Sequence, residues 1–279
     1  MFNFARKKLV WIYGSGVLCA LLAFSAAATH SWGGYHWART TPQFTLKLGD
    51  NMTTAEWKSY LSQTSSDWSS GNAAVLTAIV GGTSNKRCSM VAGTTQVCNG
   101  KYGYNGWLGL ASINIADGTH ITQGTAKVND SYFSLATYNN PNERLHVLCQ
   151  EIAHTFGLDH QSTDGSSLNT CMDYFSNTGA NANNTASTKP NQHDFDELNI
   201  IYAHLDSTTT VAARTGMTAP TSDVTDDPNT WGYLKSQSVN GRSSTYERYN
   251  RDGSTTLTHV YWTEETAGGC ASCDHRVYR

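Results

Sequence analysis

The sequence predicts an α+β fold. Two observations carry this: strand-length stretches of alternating or continuous apolar residues, and two well-capped segments with apolar residues at helical spacing. Their order reads β-α-β-β-β and then a helix, with a second helix and a hairpin beyond it. With 279 residues, 39% of them hydrophobic, the chain can bury a core and hold one domain plus an appendage.

"FTLKL" alternates as a strand does, and "GDN" stops it. Thr53 or Thr54 can cap a helix through "AEWKSYLSQTSSDW", which sets Trp57, Tyr60, Leu61 and Trp68 roughly on one face. "AAVLTAIV" is a continuous apolar run, suited to a strand covered on both sides. Residues 81–106 read as a loop, and "WLGLASINI" and "GTAKVNDSYFSL" as two further strands.

The next segment carries its own helix signals. Asn140 can cap it, Pro141 suits the first helical position, and Glu143 can reach back as in a capping box. Leu145, Leu148, Cys149, Ile152 and Phe156 form its buried stripe, and Gly157 ends it. "HDFDELNIIYAHL" reads as another helix, with Phe195, Leu198, Ile201, Tyr202 and Leu205 facing inward. Residues 206–229, rich in Thr, Ser, Asp, Ala and Pro, read as a linker. Residues 230–279 read as a small β-rich C-terminal module, its hairpin turning at Asp252-Gly253.

The formal charge is −3, and no basic patch is interleaved with aromatics, which argues against nucleic acid as a partner. Arg6, Lys7 and Lys8 precede the apolar run "GVLCALLAF" and the small residues Ala26–Ala28, so residues 1–28 have the layout of a secretory signal peptide. An uncleaved anchor over Leu9–Ala28 is the competing reading, but the apolar core is short and a cleavage-type sequence follows it. Export into the extracellular space, with no stable membrane insertion after signal removal, is the expectation. Six cysteines then remain, an even number that suits disulfides. Nearest neighbours (88 with 98, 149 with 171, 270 with 273) are the preferred pairs among 15 pairings, with a zinc knuckle built from the first and last pairs as the alternative.

The chemistry lies in "CQEIAHTFGLDHQ". Glu151 and His154 make an ExxH unit, which on a helix sets a carboxylate beside a metal held by the histidine. Four residues before His154, on the same face, stands Gln150, and His160 follows the Gly157 turn. His146 lies about 12 Å along the axis from His154, too far to share one ion. His120, His193 and His204 read as ordinary surface or partly buried histidines.

"QEIAHTFGLDH" followed by "CMDY" resembles the metzincin zinc endopeptidases, with their extended zinc helix and downstream Met-turn. The matrixin-like branch is most similar, because "FTLKLGDN", "ITQGTAKVND" and "HDFDELNIIYAHL" resemble its opening strand, pre-helix strand and closing helix. The resemblance covers Tyr35 to Leu205 and implies a metallopeptidase domain over residues 29–205: a twisted mixed sheet packed on the zinc helix and the closing helix. It implies one catalytic Zn2+ held by His154, His160 and, in place of the usual first histidine, Gln150. The resemblance assigns Glu151 as general base, Tyr174 as oxyanion stabiliser, Gly157 as turn glycine and Met172 beneath the metal.

An amide oxygen is a weaker donor to zinc than imidazole, so affinity is expected to fall more than chemistry. A pairing of Cys149 with Cys171 would bolt the zinc helix to the Met-turn. The implied partner is a protein or peptide substrate, laid as an added strand on an edge within "GWLGLASINI", and the chain is expected to be a monomer. No cysteine-bearing segment lies between the expected cleavage site and the domain, so latency through a cysteine is not expected. The alternative function is an inactive pseudo-peptidase, an extracellular binding module that keeps the cleft without turnover. A structural calcium site is not specified by the sequence.

Overall fold

The protein is described by a computed structural model that covers residues 30–71, 74–83, 87–211 and 225–267. The expected signal peptide, most of the expected linker and the Cys270/Cys273 pair lie outside these residues.

The fold is α+β, built on one mixed sheet of nine strands. In chain order the elements are β1 (His36–Trp37), β2 (Phe44–Asn51), α1 (Ala55–Ser69), β3 (Val75–Gly81), β4 (Thr94–Gly100), β5 (Trp107–Ala116) and β6 (His120–Asn129). There follow α2 (Asp130–Phe133), α3 (Pro141–His154), α4 (Gln192–Ile201), β7 (Tyr233–Gln237), β8 (Ser243–Tyr249), β9 (Thr255–Trp262) and α5 (Glu264–Ala267). The sheet order is β3-β2-β4-β6-β5-β9-β8-β7, with β1 beside β6. Pairs from β3 to β6 are parallel, while β5 and β7–β9 run antiparallel to their neighbours. Among the described residues no helix is long and apolar enough to cross a membrane.

The local signals are used as their chemistry suggests, with instructive exceptions. Thr54 caps α1 through a bond from the Trp57 N–H, and Asn140 caps α3 through one from the Glu143 N–H. The Glu143 carboxylate does not reach back to Asn140; it accepts the Asn177 N–H at 2.6 Å, because the chain after Met172 presents a buried donor there. In α4 a complete capping box forms between Asn191 and Asp194.

The expected loop 81–106 contains β4. Its polar sequence "TTQVCNG" is drawn into the sheet because β2 and β6 offer parallel partners on both sides. "GTAKVNDSYFSL" divides: β6 ends at Asn129, whose side chain caps the short α2. β3 is not covered on both faces but ends the sheet, leaving Ile79 exposed. Leu205 is also exposed, because α4 stops at Ile201.

The core lies between the sheet and α1, α3 and α4, and includes Trp37, Leu48, Trp68, Ile113, Ile152 and Phe156. Cys88–Cys98 and Cys149–Cys171 are disulfide-bonded. Such bonds persist in oxidising compartments. The second ties α3 to the segment carrying Met172.

Residues 243–262 form the expected hairpin, but β9 does not stand apart. It pairs along β5 from Trp107↔Trp262 to Ile115↔Thr255. The edge expected to receive a substrate strand is therefore occupied. The unpaired N–H and C=O groups of a bare β5 would invite a partner, and the hairpin's inner strand, β9, satisfies them. Side chains add to the match, with Ser112 and Thr258 hydroxyls 3.1 Å apart.

Candidate metal centre

Helix α3 is almost wholly buried, so its polar residues need partners inside the protein. Val147 and Glu151 face β5, which approaches closely at Gly109, while Gln150 faces the 171–173 segment. A Cβ at Gly109 would come within 2.5 Å of Glu151 Oε1 and 2.6 Å of Val147. Glycine at this position is what lets the carboxylate lie against the strand.

At the helix end, Gly157 takes a φ of +97°. Any side chain there would collide with the Tyr35 carbonyl. The turn carries the chain back over α3, where the Asp159 N–H donates to the His30 carbonyl at 2.6 Å and the Gln161 N–H to the Met172 carbonyl at 2.6 Å. His160 is thereby brought to His154, their Nε2 atoms 3.1 Å apart.

The third member comes from β9. Leu257, His259 and Tyr261 share the face of β9 turned toward α3, and all three are buried. One donor atom from each of His154, His160 and His259 lies within 4.8 Å of the others. His259 Nδ1 is also 3.1 Å from Glu151 Oε2, and its Nε2 is 3.0 Å from the Ser243 hydroxyl. Trp32 closes the other side, stacked on His154 at 4.7 Å.

Protonation follows from these contacts. A carbonyl only accepts, so His154 Nδ1–H donates to Leu158 O at 2.8 Å and Nε2 is left bare. His160 Nδ1 faces Asp159 Oδ1 at 3.0 Å and the Tyr174 hydroxyl at 2.6 Å, which turns its Nε2 toward His154. Burial, with His259 and His160 adding to it, pushes His154 well below the ordinary imidazole value. Burial lowers His160 to about 4 despite the opposing hydrogen bond it donates to Asp159. For Glu151 burial raises the carboxyl, with His259 working the other way.

Two other expected site residues take definite places. Tyr174 directs its hydroxyl at His160 and so braces a candidate ligand; burial holds its phenol well above the usual value. Gln150 uses its amide nitrogen to donate to Cys171 O at 2.8 Å and Asp173 O at 2.9 Å, which clamps α3 to the Met172 turn. Its Oε1 is buried without a hydrogen-bond partner among the described residues, and so is Glu151 Oε1.

The three histidines offer donors that could hold a metal ion. Bare imidazole nitrogens 3.1 Å apart repel unless a proton or cation lies between them, and an orphaned buried amide oxygen costs about 1–3 kcal/mol that a cation would offset.

His259 was the member hidden from sequence reasoning. Its only signal there is the alternation of "TLTHVYW", which puts a histidine between two inward apolar residues. Gly109 was likewise unremarked within "WLGLA". No protein-family model matches the chain, and no curated protein matches its sequence.

Proposed function

We propose that the protein is a secreted zinc-dependent endopeptidase of metzincin type, latent in the conformation described. The observation that carries this is the buried meeting of Glu151 with His154, His160 and His259 at the end of α3. Gln150, His154 and His160 would hold the ion, and His259 adds a further donor from the hairpin. A bound zinc supplies Lewis acidity toward a water and a peptide carbonyl.

The chain's own residues do the rest. The Glu151 carboxylate would take a proton from water and return it to the leaving amine once the site opens. In the closed state burial raises the Glu151 carboxyl, with His259 working the other way. Tyr174 and Asp159 hold the His160 ring through Nδ1.

Latency rests on β9. The strand occupies the β5 edge that would hold a substrate, and His259 occupies both Glu151 and the histidine pair. Displacing the β8–β9 hairpin would free all three at once. The alternative, a binding module with a permanently closed metal site, is favoured by the complete burial of Glu151.

One experiment separates them. Zinc content and cleavage of a quenched fluorescent peptide library are measured for wild type, Glu151→Gln and His259→Ala. Cleavage by His259→Ala that Glu151→Gln abolishes supports the peptidase. Zinc binding without cleavage in any variant, with the hairpin released by limited proteolysis as well, sinks the peptidase and leaves the closed module.

A further inference from the structure

A second cluster of metal-ligating side chains lies away from Glu151, on the far side of the α3 turn. His36 in β1, and His204 and Asp206 just after α4, present donor atoms all within 4.8 Å of one another. His204 Nε2 is 3.1 Å from His36 Nε2, and each is 3.5 Å from Asp206 Oδ1. Ligand atoms around a tetrahedral zinc with bonds of about 2.0–2.1 Å stand about 3.3 Å apart, so these three separations are those of one tetrahedral face.

The surroundings orient each donor outward to a shared point. His36 Nδ1 lies 2.8 Å from the Gly34 carbonyl, which fixes the proton there and leaves Nε2 bare. Asp206 Oδ2 accepts the Arg39 N–H at 2.9 Å, so Oδ1 is the oxygen turned to the histidines. His120, at the start of β6, brings its Nε2 to 3.3 Å from the same Oδ1 and packs edge-on against His36 at 5.2 Å. Two imidazole nitrogens at 3.1 Å beside one carboxylate oxygen is an arrangement that a divalent cation relieves. The cluster is also reachable, since His204 is 54% exposed while His36 and Asp206 are largely buried.

We propose that His36, His204 and Asp206 form a second metal site for a zinc-type divalent ion, with His120 bracing the carboxylate. The two nitrogens and one oxygen suit borderline ions such as zinc rather than calcium or magnesium. Its role is structural. It would staple β1, the start of β6 and the segment after α4, three regions far apart in the chain. It would also steady the first centre from behind, because Trp37, next to His36, donates its Nε1–H to the Thr155 carbonyl at 2.8 Å.

The test uses the full chain, stripped with chelator and reloaded with Zn2+, with metal counted by native mass spectrometry. His204→Ala and Asp206→Asn are the variants; the first removes a half-exposed side chain and the second keeps the carboxylate's shape, so both should fold. Wild type is expected to carry two zinc ions and each variant one, with the remaining affinity at the altered site reduced roughly 100-fold or more. Zinc should raise the melting temperature of wild type by more than that of His204→Ala. Cobalt difference spectra, wild type minus His204→Ala, should show the visible bands of a four-coordinate ion. Equal metal counts in wild type and both variants overturn the site. One ion in wild type and none in His204→Ala would uphold this site while removing the metal from the proposed peptidase centre, so the two readings fail separately.

Discussion

His259 Nδ1 lies 3.1 Å from Glu151 Oε2, although 108 residues separate them in the chain. Both side chains are fully buried, and the contact joins the inner hairpin strand, β9, to the helix that bears the acid-base candidate. Whatever releases that strand also releases the carboxylate.

Glu151→Gln should leave the fold intact, since the amide is isosteric, and should lower peptide cleavage by the hairpin-released protein roughly 10²–10⁴-fold. Initial rates on a fluorogenic peptide, with zinc content measured in parallel, check this. An unchanged rate would remove Glu151 from the chemistry.

Gln150→His should pull in two directions. The variant loses the donors to Cys171 O and Asp173 O, so the metal-free protein should be less stable by about 1–3 kcal/mol in urea unfolding. Zinc affinity should instead tighten by roughly tenfold or more, because imidazole replaces an amide oxygen. Competition with a chromogenic chelator reads the second effect; unchanged affinity would place Gln150 away from the ion.

Gly109→Ala puts a methyl group against Glu151 Oε1 and Val147. Overpacking of this kind costs about 1–3 kcal/mol, and here it should push α3 from β5 and weaken the hairpin's grip on the helix. Faster amide exchange in β9 than in β2 would register that; uniform exchange would not fit.

Removing the Cys149–Cys171 bond by a double change to alanine should destabilise the protein by about 2–4 kcal/mol, since it closes a loop of 22 residues. Zinc should recover part of the loss. Thermal melts with and without metal would show it, and a loss equal in both would mean the metal does not bridge the same elements.

The metal-free protein should lose stability on acidification through the histidine range. His160 is held at about 4, below the ordinary 6.5, so between those values the unfolded chain binds a proton that the folded one refuses. Stability is complete above about 6.5 and falls as the pH drops toward 4, with His154 acting in the same direction. Urea midpoints from pH 7 to pH 4 in chelator test it; a flat profile would contradict the burial of these rings.

What was legible in the sequence was local. Thr54, Asn140 and Pro141 mark helix starts because a cap bonds within its own turn, and Gly157 marks a turn only glycine can make. Strand β4 was illegible because its Gln, Asn and Gly are poor strand formers that outweigh its two Thr, and only neighbours from distant parts of the chain recruit it. The same holds for the sites. Glu151, His154 and His160 lie within ten residues and could be seen together. His259 joins them through a sheet register, and His36 meets the His204–Asp206 segment through packing across 168 residues, which no spacing in the sequence encodes.

The position of β9 also sets a clock. Ser112 meets Thr258 across 146 residues and Asn114 meets Ser254 across 140, so the β5 edge stays open until the late part of the chain has been made and has found it. Pairings this distant form slowly and leave a bare edge exposed meanwhile. During that interval Glu151, His154 and His160 lack the contact of His259. The arrival of the hairpin closes that interval by bringing His259 to Glu151.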